Sequence, residues 1–277
     1  WYILGNGSNL LVADEGYDGV ILSLHRMNKE AGQVGELHQI RILPADASET
    51  EKAAVLEEYG VKQCISTVKA YVSAGAGVML STLAARIADQ GLAGFEFAGG
   101  IPGTLGGAVT MNAGAYGGEM KDVLCEVTVM DKEGEIFSLP AEKLELGYRT
   151  SVIKKAGYIV LEAKIQLKEG DQEAIRETMK DLTIRRTTKQ PLEYPSAGST
   201  FKRPEGYFAG KLIMDSGLAG YQVGGAQVSE KHCGFVINAG GATAKDVRTL
   251  MDNVRDIVYK KYGVTLEPEV KFLGDFE

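Results

Sequence analysis

The chain has 277 residues and a formal net charge of −7, with 44% hydrophobic and 24% charged residues. This length can hold one large domain or two ordinary domains with their own cores, and the composition is typical of soluble proteins. The lack of a basic stripe argues against a nucleic-acid partner, and no apolar run approaches the roughly 20 residues of a membrane span.

Cysteine and histidine are too scattered to indicate a metal site, a Ser–His–Asp triad or a disulfide framework. The chain holds three cysteines and three histidines, and no two cysteines have the CxxC spacing. Few, separated cysteines are typical of proteins in a reducing compartment. Trp1–Leu4 resembles the end of a strand without an initiator Met or a signal peptide, so we expect a further N-terminal segment. The scattered residues are Cys64, Cys125, Cys233, His25, His38 and His232.

The first 25 residues predict a strand, a turn and a second strand. The turn, Gly5–Asn9, reads GNGSN and resembles the start of the GxGxxG motif. Leu10 takes the place of the third glycine, however, and a strand-like run follows where that motif needs a helix. A Rossmann nucleotide site is therefore not predicted, while phosphate binding by the turn stays open. The next residues are polar and mixed, with a helix predicted over Asp46–Gly60.

The segment Gly91–Gly118 is the most informative part of the chain, because it packs ten glycines into 28 positions. Glycine weakens both helices and strands, so this density indicates backbone that turns tightly or approaches a ligand closely. Main-chain N–H groups exposed in this way bind anions, and diphosphates above all. The sequence therefore predicts a nucleotide or dinucleotide cofactor along this segment.

The remaining elements predict a β-rich first part and a smaller α+β second part, joined near residues 168–172. Prolines in the loop between residues 189 and 206 exclude a helix there. The predicted strands are Val68–Ser73, Val123–Asp131, Ile136–Leu139, Leu144–Thr150, Tyr158–Gln166, Cys233–Asn238 and Val264–Gly274. The predicted helices are Val78–Gln90, Asp171–Arg186 and one that Thr243 caps and Gly263 ends.

Four side chains could carry chemistry, although each has an ordinary structural interpretation. Arg149 offers a planar guanidinium suited to a carboxylate or a phosphate, or it forms a salt bridge. Ser199 follows a glycine in a proline-bounded loop, where its hydroxyl faces a ligand or bonds its own turn. Glu269 alternates with Glu267 along the last predicted strand, which is also typical of a solvated face. Tyr116 stands among glycines and has little to pack on except a ligand.

Five motifs, in order and in register from residue 3 to about residue 274, resemble the UDP-N-acetylenolpyruvoylglucosamine reductase family. Each motif is weak by itself, and the ordered set is specific. The motifs are ILGNGSNLLV at 3–12, FAGGIPGTLGGAVTMNAGAYGGE at 97–119, GYRTS at 147–151, PSAGSTFKRP at 195–204 and LEPEV at 266–270. The short spacing from Arg149 to Ser199 is similar to the family branch with the shorter substrate-domain loop.

The resemblance implies an α+β fold of two domains. Residues 1–170 would form an FAD-binding type-2 domain, similar to vanillyl-alcohol oxidase, that is incomplete at its N-terminus and carries an insertion at about 34–66. Residues 171–277 would form the substrate-binding domain. The implied reaction uses FAD and NADPH to reduce the enolpyruvyl ether of a UDP-sugar to UDP-N-acetylmuramate in the cytoplasm, by a monomer or weak homodimer, with no metal, nucleic acid or membrane.

The resemblance also assigns residues. Arg149 would stabilise the negative charge that develops on the substrate, Ser199 would donate the proton, and Glu269 would be the third catalytic group. The implied substrate contacts are Tyr116, Tyr148, Lys189 and Arg203. The implied FAD contacts are Gly5, Asn6, Gly7, Ser8, Asn9, Gly100, Ile101, Pro102, Gly103, Thr104, Gly106, Gly107, Ala108, Asn112, Gly114, Ala115 and Arg186.

The chain departs from the family pattern at two positions. Arg203 stands where many members have Asn, and Lys271 where many have Arg. Either change could shift contacts with the substrate without abolishing the chemistry. Two other functions stay open: another FAD-linked oxidoreductase of the same superfamily, or a sugar-nucleotide-binding module without catalysis.

Overall fold

A computed structural model describes residues 1–24, 39–43 and 70–276 of the chain. The helix predicted over Asp46–Gly60 lies outside the described residues, as do His25, His38 and Cys64. The chain forms two compact units. Unit 1 comprises Trp1–Asn6 and Ile21–Ile184, and unit 2 comprises Gly7–Val20 and Arg185–Glu277. These units and the predicted domains divide the chain differently, and the domains stay a prediction.

Sixteen strands and six α-helices lie within the described residues. The strands are β1 Tyr2–Leu4, β2 Leu10–Val12, β3 Ile21–Ser23, β4 Ile40–Leu43, β5 Ala70–Gly75, β6 Leu92–Ala93, β7 Gly114–Ala115, β8 Gly118–Glu119, β9 Leu124–Met130, β10 Ile136–Pro140, β11 Ile159–Glu169, β12 Ser196–Ser199, β13 Gln222–Val223, β14 Ala226–Val228, β15 Phe235–Asn238 and β16 Lys271–Leu273. The α-helices are α1 Leu80–Asp89, α2 Leu105–Met111, α3 Val152–Ala156, α4 Gln172–Lys189, α5 Ala209–Asp215 and α6 Ala244–Tyr262.

Unit 1 is built on a sheet with the strand order β10-β9-β11-β5-β4, in which every neighbouring pair is antiparallel. The predicted hairpin of β9 and β10 is confirmed. Val127 and Val129 of β9 are fully buried because alternate residues of a strand point to the same face. Helix α1 covers this core with buried residues at helical spacing, namely Leu80, Leu83, Ala84 and Ile87.

Unit 2 is built on a second antiparallel sheet with the order β12-β15-β14-β13. Strand β16 pairs in parallel with β2, which brings residues 10–12 to the C-terminal part of the chain. Helix α6 begins as predicted at Thr243, whose side chain forms a capping box with Asp246, and ends at Gly263 with a φ of 68°. Its buried face comprises Leu250, Met251, Val254 and Val258.

Two predicted strands are wrong. Leu144–Thr150 forms a turn, because Glu145 and Arg149 have φ angles of 48° and 56°, which a strand does not allow. The last strand is confined to Lys271–Leu273, so Glu267 and Glu269 do not alternate along a strand. The run after Gly5–Asn9 is also interrupted between β2 and β3, where Gly16 has a φ of 84°.

A membrane-spanning helix must be both long and apolar. None of the helices within the described ranges combines the necessary length and apolar character.

Candidate active site

Two glycine-rich segments meet in unit 1. Asn6 donates a hydrogen bond of 2.9 Å from its side-chain Nδ2 to the carbonyl oxygen of Pro102. Gly5 lies so close to Thr104 that a Cβ at position 5 would stand 2.6 Å from Thr104 Oγ1. A larger residue would displace that side chain, so Gly5 is required for the contact. The structure thus brings the first two residues of the GNGSN turn against the loop before α2.

The loop itself is held by the chain around α2. The Thr104 side chain caps the helix by accepting a bond from the N–H of Gly107 at 3.5 Å. Gly106 donates to the carbonyl oxygen of Ala76 at 2.9 Å, and a Cβ on Gly106 would come within 2.8 Å of the Ala76 Cβ. Leu80 donates to Gly103 at 3.0 Å. These bonds fix the position of the main chain at the start of α2.

This arrangement fits a cofactor that carries a diphosphate. Neither Gly5–Asn9 nor the loop of residues 99–107 contains Asp or Glu, so the two segments themselves supply no carboxylate that would oppose an anion. Asn6, Pro102 and Gly107 are exposed, so a ligand can reach the segment. Small residues let main-chain amides approach a phosphate, and the amide donors need no charged side chain.

Arg149 lies at the corner of a tight turn. Gly147 and Thr150 exchange two main-chain hydrogen bonds, of 3.1 and 3.2 Å, and leave Tyr148 and Arg149 at the tip. Arg149 has a φ of 56°, a left-handed conformation that costs a non-glycine residue about 1–3 kcal/mol. Its guanidinium stands 4.9 Å from the centre of the Tyr148 ring and donates to the carbonyl oxygen of Gly114 at 3.2 Å.

The turn is tied to the end of the glycine-rich segment. Ser151, which is fully buried, donates to the carbonyl oxygen of Thr110 at 2.7 Å. Asn112 donates to the carbonyl oxygen of Gly147 at 3.1 Å. The predicted FAD contact Asn112 is 0% exposed, and its amide is engaged within the protein. Asn after a short helix is a known signal for a left-handed cap, but no sequence pattern indicates these contacts.

Tyr116 projects from a two-residue hairpin between β7 and β8. Its φ of 52° and the φ of 92° at Gly117 give this connection two successive left-handed residues, as tight hairpins require. The Tyr116 side chain is 47% exposed. The ring is therefore available to a ligand, as its position among glycines predicts.

In unit 2, Thr200 joins the main chain that follows Ser199 to the main chain of Glu269. The N–H of Glu269 donates to the carbonyl oxygen of Thr200 at 2.9 Å. Thr200 is buried, and its hydroxyl accepts a bond from the N–H of Val236 at 2.9 Å. The adjoining residues continue the pairing, since the N–H of Lys202 donates to the carbonyl oxygen of Glu267 at 2.8 Å. No sequence pattern singles out Thr200, because its contacts are with residues far away in the sequence.

The two glutamates of the LEPEV motif have different surroundings. Glu267 is exposed and forms an ion pair with Lys202. Glu269 is half-buried, and its carbonyl oxygen accepts a bond of 3.2 Å from the Asn9 side chain. The carbonyl oxygen of Asn9 in turn accepts from the N–H of Lys271 at 3.0 Å. Asn9, the last residue of the GNGSN turn, is therefore bonded to the main chain of Glu269.

Cationic side chains of unit 2 lie on exposed segments. The Arg203 guanidinium stands 3.9 Å from the centre of the Phe208 ring, and its Nε donates to the carbonyl oxygen of Tyr207 at 3.3 Å. Lys189 is exposed at the end of α4. Arg186, one turn before it, is half-buried.

His232 is a further polar residue, linked through Gly234 to Thr200, the residue that follows Ser199. Its Nδ1 accepts a bond of 3.1 Å from the N–H of Gly234, whose carbonyl oxygen accepts from Thr200 at 2.9 Å. Burial, and then the charge of Lys189, lowers the pKa of His232 below its ordinary value. The neutral ring is the form that accepts this bond. No sequence motif singles out this histidine, although its partners Ser229, Gly234 and Phe235 are local.

The candidate residues divide between the two compact units. Arg149, Tyr116 and Tyr148 belong to unit 1, whereas Ser199 and Glu269 belong to unit 2. Arg186, Lys189 and Arg203 also belong to unit 2. The assembly of all of them into one site stays a prediction.

Comparison with known proteins agrees with this geometry. A family model for an FAD binding domain matches residues 50–140. A second model, for the C-terminal domain of UDP-N-acetylenolpyruvoylglucosamine reductase, matches residues 190–273. We call Gly5, Asn6 and the loop of residues 99–107 the cradle. The fold and the cradle therefore define an α+β FAD-binding oxidoreductase, which confirms the predicted fold class and cofactor.

Individual relatives cover almost the whole chain. UDP-N-acetylenolpyruvoylglucosamine reductase of Lachnoclostridium phytofermentans is 54% identical over 273 residues, which are 99% of this chain and 78% of the relative. The Clostridioides difficile enzyme of the same name is 49% identical over 275 residues, covering 99% and 79%. The crystal structure of the Thermus caldophilus enzyme aligns with a TM-score of 0.74 at 34% identity, over 98% of this chain and 85% of that one.

The chain belongs to the UDP-N-acetylenolpyruvoylglucosamine reductase family. The resemblance read from the five motifs is thereby confirmed. The two alternatives, another flavin oxidoreductase and a non-catalytic binding module, are set aside by this membership.

Proposed function

We propose that Arg149, Ser199 and Glu269 carry out the chemistry of this reductase. The chain reduces the enolpyruvyl group of its UDP-sugar substrate with NADPH as the hydride donor, in the synthesis of peptidoglycan precursors. The observation that best supports the assignment is the bond of 2.9 Å from Glu269 N to Thr200 O, because it holds the main chain of Glu269 against the residue that follows Ser199.

The residues of the cradle would hold FAD by its diphosphate. Main-chain N–H groups of the GNGSN turn would supply donors without added charge, while the N–H groups of Gly103, Gly106 and Gly107 already donate within the protein and hold the loop before α2 in place. Arg186 would add a cation for a flavin phosphate. Bound FAD supplies hydride transfer from NADPH to the terminal vinyl carbon of the substrate.

Arg149 would act where negative charge accumulates. Hydride addition to the vinyl carbon leaves an enolate next to the substrate carboxylate. A guanidinium that is already oriented stabilises this charge without reorganisation at the moment of reaction. The strained turn, the Tyr148 ring and the Gly114 carbonyl are the groups that orient it.

Ser199 would complete the reduction by donating its hydroxyl proton to the carbon next to the carboxylate. The electron pair of the enolate forms the new C–H bond, and the serine oxygen regains a proton from water. A serine hydroxyl is a weak acid near neutrality, so the transfer needs an electrostatically organised site. Glu269 would act with Arg149 on the enolate or on a bound water. Tyr116, Tyr148, Lys189 and Arg203 would bind the substrate and the nicotinamide nucleotide.

The wider context of the reaction is also proposed. NADPH and the UDP-sugar are the small-molecule partners of the family, and their use fits an enzyme of the cytoplasm that works as a monomer or weak homodimer. Residues 1–170 would bind FAD and residues 171–277 the substrate. The positions of the two family matches, 50–140 and 190–273, support that division.

Separate measurement of the two half-reactions tests the assignment. In anaerobic stopped-flow mixing, Ser199→Ala should keep NADPH-driven flavin reduction and slow flavin reoxidation by the UDP-sugar by roughly 10²–10⁴-fold. Only the second half-reaction needs the proton, which is the reason for the difference. Ser196→Ala, an exposed serine of the same strand, is the matched control and should leave both rates unchanged. Equal losses of both rates in Ser199→Ala would reject the role.

A further inference from the structure

Asn112 occupies an unusual place at the end of α2. It ends the helix in the left-handed conformation, with a φ of 46° and a ψ of 57°. Its side chain is entirely buried. A buried amide must find partners within the protein, since an unpaired one costs about 1–3 kcal/mol. The partners of this amide show what it holds.

The Asn112 amide joins three separate points of unit 1. Its Nδ2 donates to Glu119 Oε2 at 2.6 Å and to the carbonyl oxygen of Gly147 at 3.1 Å. Its Oδ1 accepts from the N–H of Lys121 at 2.9 Å. An amide nitrogen has two hydrogens, so both are used. A side chain with fewer donors cannot serve both Glu119 and Gly147.

Glu119 determines which way the amide faces. Its carboxylate accepts only, so it selects the orientation in which Nδ2 lies on its side. The other Glu119 oxygen, Oε1, pairs with Lys121 Nζ at 2.8 Å, and the hydrogen bond and charge of Glu119 raise the pKa of Lys121. A flipped amide would set Oδ1 against the carboxylate. Glu119 thereby keeps an N–H directed at Gly147.

The Gly147 carbonyl is the point at which the turn of Arg149 closes. It accepts from the N–H of Thr150 at 3.2 Å in addition to the Asn112 bond. A carbonyl oxygen has two lone pairs, so both bonds can form together. The turn keeps Arg149 at a positive φ, and such strain persists only where the surroundings fix the backbone. The Asn112 bond is one of the contacts that fix it.

We propose that Asn112 is a positioning residue for Arg149. By fixing the Gly147 carbonyl, it holds the strained turn so that the guanidinium meets the charge developing on the substrate. It also joins the catalytic turn to the helix that follows the cofactor loop. This inference rests on the proposed function of Arg149.

A pair of substitutions separates positioning from mere stability. Asn112→Asp replaces both donors with a carboxylate facing Glu119. Adding Glu119→Gln restores a hydrogen bond between positions 112 and 119 with donor and acceptor exchanged, because the Gln amide donates to the Asp carboxylate. The Gly147 carbonyl still lacks its donor in the double variant. Glu119→Gln alone is the matched control, since Asn112 keeps its donor to Gly147 and Gln can accept the other bond.

The expected result is a split between stability and chemistry. The double variant should regain thermal stability lost in Asn112→Asp, and its bound flavin is fully reduced by NADPH before the second half-reaction is compared. Its flavin reoxidation by the UDP-sugar should stay slow, on the order of tenfold to a hundredfold below wild type. Amide exchange at Gly147 and Thr150 should be faster in the double variant than in Glu119→Gln. Asn112→Gly keeps the left-handed backbone without the amide and serves if Asn112→Asp does not fold.

Two outcomes would overturn the inference. Recovery of reoxidation together with stability in the double variant would show that Asn112 acts through stability alone. Unchanged amide exchange at the turn would show that the bond to Gly147 does not hold it. Arg149→Lys separates this failure from failure of the proposed function. If Arg149→Lys reoxidises at the wild-type rate, the role of Arg149 is rejected and the inference falls with it. If flavin reoxidation is slow in Arg149→Lys but fast in the double variant, the role of Arg149 stands and only the inference about Asn112 fails.

Discussion

The main-chain N–H of Glu269 donates a hydrogen bond of 2.9 Å to the carbonyl oxygen of Thr200. A β-bridge between Phe201 and Pro268 continues this pairing. Residues 69 positions apart are therefore held in register, and the residue before Thr200 is Ser199. The candidate proton donor Ser199 and the candidate catalytic residue Glu269 therefore lie on two segments whose main chains are paired.

The two glutamates of the LEPEV motif should differ sharply when each is changed to glutamine. Glu269→Gln should slow flavin reoxidation by the UDP-sugar by roughly 10²-fold or more, because the half-buried carboxylate acts on the substrate. Glu267→Gln should change it little, because exposed ion pairs contribute only about 0–1 kcal/mol. Stopped-flow rates of the two variants make the comparison. The reverse pattern would mean that the other glutamate is the catalytic one.

Replacing Thr200 with valine should destabilise the protein by about 1–3 kcal/mol. Valine has nearly the same shape and cannot accept the 2.9 Å bond from the N–H of Val236, which stays buried without that partner. Urea unfolding measures the free energy. Thr128→Val is the control, because the hydroxyl of Thr128 is on an exposed contact with Ser138 and its loss should cost under about 0.5 kcal/mol. Equal effects of the two substitutions would contradict the importance of the Thr200 hydroxyl.

Gly5→Ala should weaken FAD binding. Its Cβ would stand 2.6 Å from Thr104 Oγ1, so the two segments of the cradle must separate. Overpacking of this kind costs about 1–3 kcal/mol, which corresponds to roughly 5- to 150-fold in the dissociation constant if the bound state bears the whole cost. Flavin fluorescence during titration of the FAD-free protein measures the constant. Gly99→Ala should be milder, because its Cβ would meet only the flexible end of Met179 at 3.0 Å. An unchanged constant in Gly5→Ala would rule out a requirement for close contact.

The stability of the protein should fall as the pH is lowered past the ordinary pKa of histidine. The folded state lowers the pKa of His232, chiefly through burial, so the unfolded chain binds the proton more readily. This contribution is complete above about pH 6.5 and declines as the pH falls towards the lowered folded-state value. Urea unfolding at pH 7 and pH 5 in the wild type and in His232→Asn tests it.

The asparagine variant keeps an acceptor for Gly234 without a titrating ring. Its loss of stability on acidification should therefore be smaller than that of the wild type. Carboxylates such as Asp246, whose pKa is lowered by bonds from the main chain of Thr243 and Gly225, contribute equally to both proteins. Identical pH dependence in the two would show that His232 does not contribute.

Local patterns allowed much of the fold to be predicted. The helix from Thr243 to Gly263 has a cap, a buried stripe and a closing glycine within 21 residues, so its signals are all local. The hairpin of β9 and β10 is equally local. The strand expected over Leu144–Thr150 failed because its apolar residues suit a strand while the backbone at Glu145 and Arg149 turns left-handed. Only the surrounding contacts impose that conformation.

By itself the sequence determined the class of ligand and the family. Glycine density and the absence of acidic residues in two loops follow directly from residue identity, and so do the ordered motifs that name the reductase. The tertiary structure decided which atoms support the candidate groups. The bonds from Asn112 to Gly147 and from Glu269 to Thr200 join residues that are 35 and 69 positions apart. Hydrogen bonds of this kind depend on distance and direction in the folded chain, and no local pattern of residues encodes them.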